Sequence, residues 1–111
     1  MNPQTHPEDT PRVDNLYIMC VETDPMGSQH GFKIGRAPCV DARANSLGTS
    51  MPFRIQVLVE YRGLGYLESN VHALLAQRRN DKGSGREWFY VSLSDAMHAI
   101  ATVSNTHVTS S

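Results

Sequence analysis

A chain of 111 residues, 40% hydrophobic and 19% charged, predicts one globular domain large enough to close a core without metal or disulfide staples. No apolar run approaches the roughly 18 residues of a membrane helix, and the acidic, proline-containing start is unlike a signal peptide. An intracellular protein with no membrane association is therefore expected, cytoplasmic or, in a eukaryote, nuclear. The net charge of −1 hides an asymmetry: residues 31–90 sum to +4 and residues 1–30 to −4. A basic middle behind an acidic leader suits a polyanionic partner.

In chain order, residues 1–14 hold three prolines and no periodicity and read as a flexible leader. Leu16-Tyr17-Ile18-Met19-Cys20-Val21 predicts a first strand over about 15–22. Asp24-Pro25, Gly27 and Gly31 mark a long hairpin loop, and Phe32-Lys33-Ile34-Gly35 a second strand over about 31–36. Pro38 favours a helix start, with Val40, Ala44 and Leu47 on one stripe and Gly48 as an αL terminator. Phe53, Ile55, Val57, Val59 and Tyr61 alternate onto one face of a third strand over 53–61. The segment 65–79 sets Leu67, Val71, Leu74 and Leu75 on a helical stripe, with Glu68, His72 and Arg79 along its edge.

Asn80 to Gly85 reads as a polar loop and Glu87 to Val91 as a short strand. Ser92 or Ser94 caps a last helix running to about Val103, with Met97, Ile100 and Ala101 inward. Residues 104–111 form a polar tail. The order ββαβαβα predicts an α+β domain over 15–103, a small and mainly antiparallel sheet with helices packed on it. Cys20 and Cys39 show neither zinc spacing nor a redox motif and are expected to be reduced packing residues.

If the first two strands pair, a phenol (Tyr17), an ammonium (Lys33) and a guanidinium (Arg43) can converge, with Glu68 and His72 joining from the later helix. Taken singly these residues have ordinary readings: a packed aromatic, a solvated lysine, a helix-surface arginine, and an i, i+4 pair on a helix face. Together they suit phosphodiester hydrolysis. That reaction needs charge neutralised on the phosphoryl group, water activated and a leaving oxygen stabilised. Arginine's planar fork matches phosphate oxygens, and a hard cation such as Mg²⁺ needs only one or two protein carboxylates. A tyrosine titrating near pH 10 is a poor base at neutrality; Lys33, Arg43 or a metal nearby would favour the phenolate and is expected to lower its pKa.

Leu16-Tyr17-Ile18, then Lys33-Ile34-Gly35, then Arg43 ten residues past Lys33 resemble the motifs of the GIY-YIG endonuclease superfamily. The likeness is closest to the branch with KIG in place of YIG, found in phage open reading frames and in a meiotically up-regulated fission-yeast protein. Leu47-Gly48-Thr49-Ser50-Met51-Pro52, Glu68-x-x-x-His72 and Gly-Arg-Glu87-Trp88-Phe89 follow in matching order, so the resemblance spans about 15–92. It implies that Tyr17 positions or deprotonates the attacking water, Arg43 binds phosphate, and Glu68 holds one Mg²⁺ or Mn²⁺. His72 takes the place of a histidine frequent in the branch. Lys33 replaces the second motif tyrosine, and Glu87-Trp88 stands where many members present an asparagine.

The expected function is metal-dependent DNA cleavage, with Tyr17, Lys33, Arg43 and His72 catalytic, Glu68 on the metal, and Arg36, Arg43, Arg78 and Arg79 on DNA. Specificity would come from loops 22–31 and 80–86, from a homodimer, or from a partner protein. Two alternatives remain: a nucleic-acid-binding module of the same fold that does not cut, and a phage-type protein-interaction or inhibitor domain.

Overall fold

The computed structural model describes residues 13–79 and 87–109. Most of the predicted leader, the predicted loop at 80–85 and the end of the polar tail lie outside the described residues. The sheet is built around β1 (Asn15–Val21). Every side chain from Leu16 to Cys20 is fully buried, because β1 has neighbours on both edges and helices over both faces. A strand in that position reads as one continuous apolar run with no alternation.

β1 pairs antiparallel with β2 (Phe32–Ala37) on one edge and with β3 (Ile55–Tyr61) on the other. β4 (Trp88–Phe89) adds only two residues beside Phe32 and Lys33, giving the order β3-β1-β2-β4. The helices are α1 (Val40–Ser50), α2 (Glu68–Leu74) and α3 (Leu93–Thr109), with 3₁₀ turns at Gly65–Leu67 and Ala76–Arg78. The expected α+β class, antiparallel sheet and element order are those observed.

Two cores share the sheet. Leu16, Ile18, Cys20, Phe32, Ile34 and Phe89 pack under α2 and α3, against Leu67, Val71, Ala96 and Ile100. On the opposite face, Tyr17, Met19 and Ala37 pack with Val40 and Ala44 of α1. The β1–β2 hairpin loop is tied internally. The buried Asp24 carboxylate accepts from the backbone N–H groups of Ser28 (3.0 Å), Gln29 (3.1 Å) and His30 (2.9 Å). Gly31 closes the loop at φ +81°, with the Phe89 backbone lying where a side chain would go.

Several local expectations give way to tertiary context. The β3 alternation does not stay on one face. A bulge opposite Ile18 and Met19 sends Ile55 and Val57 to the α1 core, and Val59 and Tyr61 to the α2–α3 core. Gly48 does not end α1, which runs on to Ser50. α2 stops at Leu74 and tightens into a 3₁₀ turn, so the stripe rotates and leaves Leu74 54% exposed. α3 starts one residue past Ser92, whose Oγ accepts from Asp95 N at 2.9 Å, and it continues six residues past Val103. Its inward residues are Ala96, Ala99, Ile100 and Val103, while Met97 and Ala101 face out. Cys20 is buried as expected, but Cys39 is exposed; both are free thiols.

Candidate active site

Among the described residues β4 pairs only with Phe32 and Lys33, so Gly35–Ala37 have no strand beside them on that edge. A cleft of about 580 Å³ forms there, lined by Arg36 and Ala37 from β2, Cys39 ahead of α1, and Arg43 and Ser46 from α1. Asp14, Glu68 and Glu87 complete its wall. Register explains the convergence. Tyr17 lies opposite Gly35 on the paired strands, and an α-helical rise of one turn carries Arg43 over the same face.

Tyr17 lies beneath this region, behind the residues that line the cleft. Its side chain is fully buried, and its phenol oxygen has no hydrogen-bond partner. An ideal Cβ on Gly35 would stand 2.5 Å from that oxygen and 2.7 Å from Glu87 Oε1. Glycine is needed here for close approach, since any side chain would displace one of the two polar groups. The phenol pKa is pushed up to about 12, first by burial and then by the Glu87 carboxylate. The Arg43 guanidinium pulls it the other way, without an aligned hydrogen bond to the oxygen, and loses. The expected lowering is therefore reversed, first because the phenol is buried and then because the Glu87 carboxylate stands beside it.

Lys33 is buried on the same face, and its Nζ donates to Glu87 Oε1 at 2.6 Å with the Trp88 ring 5.9 Å away. An ammonium taken out of water needs such a partner. The pair also spans β2 and the entry to β4, where Ile34 N donates to Glu87 O at 2.9 Å. Arg43 is exposed, and among the described residues no carboxylate lies within 4.0 Å of its guanidinium. Its fork is thus free to take an anion.

Glu68 opens α2, with its side chain 17% exposed and Oε1 3.7 Å from Arg36 Nε. Arg36 Nε is also 3.7 Å from Asp14 Oδ2, so neither contact is a close ion pair. Asp14, assigned from sequence to the leader, is held by its own carbonyl, which accepts from Gly65 N at 2.9 Å. Among the described residues no group of three His, Cys, Asp or Glu is arranged to hold a metal. A lone carboxylate at the edge of a solvent-filled cleft still fits a hard cation that keeps most of its water. It does not fit a closed zinc-type site.

The remaining predicted residues lie elsewhere. His72 does not line the cleft; its Nε2 bonds Ile34 O at 2.7 Å and its ring packs on Phe89. A carbonyl can only accept, so Nε2 carries the hydrogen. His72 thereby satisfies the β2 carbonyl that a longer β4 would have taken. Arg78 lines a separate cavity with Asp95 and His98, and the Arg79 guanidinium sits over the Phe89 ring at 5.5 Å. Glu87 and Asp14 were not among the sequence-derived site residues. Glu87 is marked in the sequence only as the acid beside Trp88-Phe89, and Asp14 carries no signal of its own.

Fold and cleft together define a small α+β domain whose antiparallel sheet sets a charged cleft on one face, with a buried phenol beneath it. The chain belongs to the T5orf172 domain family, whose model matches residues 15–104. This is a phage-associated domain related to GIY-YIG-like nucleases, nuclease-like or DNA-binding in character. No curated protein and no solved structure matches the chain. Among the described residues no helix is long and apolar enough to cross a membrane.

Proposed function

We propose that the domain is a metal-dependent DNA endonuclease of GIY-YIG type, from the branch with lysine in the second motif. The observation that supports it is the meeting of Arg43, Glu68 and Glu87 around one cleft, with the Tyr17 phenol beneath. In this reading Arg43 grips the scissile phosphate bidentately, using a guanidinium with no competing carboxylate. Arg36, half exposed above Glu68, contacts the adjoining backbone. Glu68 holds Mg²⁺ or Mn²⁺, which when bound would supply positive charge for the phosphoryl oxygens. Lys33 fixes Glu87 beside the Tyr17 phenol, which stays enclosed beneath the cleft. His72 acts at one remove, holding the β2 edge straight beneath Gly35.

The protein would act where DNA is found, in the cytoplasm or in a eukaryotic nucleus. Sequence preference would come from the 22–31 loop, from a second copy or from a partner protein. A binding module that does not cut is the rival reading, favoured by the neutralisation of Lys33 by Glu87 at 2.6 Å. Supercoiled plasmid incubated with the protein and Mg²⁺ or Mn²⁺ separates the two. Nicking by the wild type that Glu68→Ala abolishes supports the nuclease. Salt-sensitive binding without nicking supports the module, since phosphate contacts release counterions.

A further inference from the structure

Glu87 has only a scaffold part in the nuclease reading, as the partner of Lys33, yet its surroundings are specific. Its backbone carbonyl is fixed by Ile34 N, its Oε1 is held by Lys33 at 2.6 Å, and its side chain, one-third exposed, lines the cleft with Arg43 and Glu68. The same Oε1 shares with the Tyr17 phenol oxygen the small space above Gly35. The two groups differ in access. The phenol oxygen is enclosed and unpartnered, whereas Glu87 opens onto the cleft where a water and a phosphate would sit.

Resting on the nuclease reading, we propose that Glu87, and not Tyr17, accepts the proton of the attacking water. Lys33 and the absent side chain of Gly35 hold that carboxylate in place. In the step, the oxygen of water forms a bond to phosphorus and its proton passes to a Glu87 carboxylate oxygen. The phosphorus–oxygen bond to the leaving sugar oxygen breaks with its electron pair, and that oxygen takes a proton from solvent. Glu87 then returns its proton to solvent. Tyr17 keeps its hydrogen throughout, enclosed beneath the cleft. The alternative is chemically poor, because with a phenol pKa of about 12 only about one molecule in 10⁵ is ionised at pH 7.

The two bases predict different pH–rate profiles, measured as plasmid nicking from pH 5 to 9.5 at saturating Mg²⁺ or Mn²⁺. With Glu87 as acceptor, the wild-type rate is flat from neutrality upward, where a phenol acceptor would make it climb. Glu87→Gln lowers that plateau by about 10²–10⁴-fold. Glu87→Asp keeps a flat profile at reduced rate, and Tyr17→Phe keeps the wild-type profile. Thermal unfolding checks each variant; if Glu87→Gln does not fold, the wild-type profile, Glu87→Asp and Tyr17→Phe decide the matter. A wild-type rate still climbing about tenfold per pH unit at pH 9.5, or a climb that Tyr17→Phe abolishes and Glu87→Gln keeps, overturns the proposal. Such a result leaves the nuclease reading standing. A folded wild type that nicks with neither metal overturns both.

Discussion

Along β1 and β2, neighbouring residues do different work. Leu16, Ile18, Phe32 and Ile34 face α2 and α3 in an apolar core, whereas Tyr17, Lys33 and Gly35 face the α1 side and lie beneath the cleft. The alternation of a strand makes this separation automatic: a residue changes face with each step. On the apolar face, shape and area set the energy, at roughly 25 cal/mol per Å² buried. On the other face, a buried phenol without a partner and a buried lysine cost free energy that the first face must offset. One strand pair thus supplies stability on one side and reactive groups on the other.

Substitutions on either face break the comparison in different observables. The largest effect is expected at Phe89, which is fully buried and touches both His72 and Arg79. Phe89→Ala should cost about 3–5 kcal/mol in urea unfolding; a loss below about 1 kcal/mol would mean that the apolar face is not the stabilising one. Next come the cleft variants. Arg43→Ala should lower nicking by about 10²–10³-fold while leaving stability within about 0.5 kcal/mol, as for other exposed positions.

The hairpin loop sharpens the contrast further. Asp24→Ala orphans three backbone N–H groups and should cost about 1–3 kcal/mol in chemical denaturation. Ser92→Ala removes the α3 cap and should cost about 1 kcal/mol. The smallest effect concerns pH. The Tyr17 phenol is raised from 10.0 to about 12 in the folded protein, so above about pH 10 the unfolded chain loses its proton first. Stability contributed by keeping Tyr17 neutral is full below that pH and is lost as pH rises towards 12. Tyr17→Phe should flatten this part of the alkaline decline in chemical denaturation.

Much of the architecture was legible from residue order. The apolar run from Leu16 to Val21 announced β1, turn formers bounded the hairpin, and helical spacing located α1, α2 and α3. What depended on pairing was not legible. The β3 bulge exists only because Val57 and Val59 meet Met19 and Ile18 on another strand. The exposure of Leu74 follows from where α2 tightens, and the length of α3 from packing that periodicity does not encode. At the site, motif spacing located Tyr17, Arg43 and Glu68. The Lys33–Glu87 pair joins residues 54 positions apart, so no local pattern marks it. The upward shift of the Tyr17 phenol is hidden for the same reason, since the burial that chiefly causes it and the Glu87 carboxylate that adds to it arise only on folding.

The claim on which the account depends is that the α1-side cleft, and not the basic surface at large, is where a phosphodiester is broken. It is tested most directly by comparing plasmid nicking in Mg²⁺ or Mn²⁺ by wild type, Glu68→Ala, Arg43→Ala and Arg78→Ala, the last lying at a separate cavity. The account predicts that the first two variants lose nicking by about 10²-fold or more, while Arg78→Ala stays within a few-fold of wild type. Equal losses at Arg43 and Arg78, or nicking that survives Glu68→Ala intact, would contradict it.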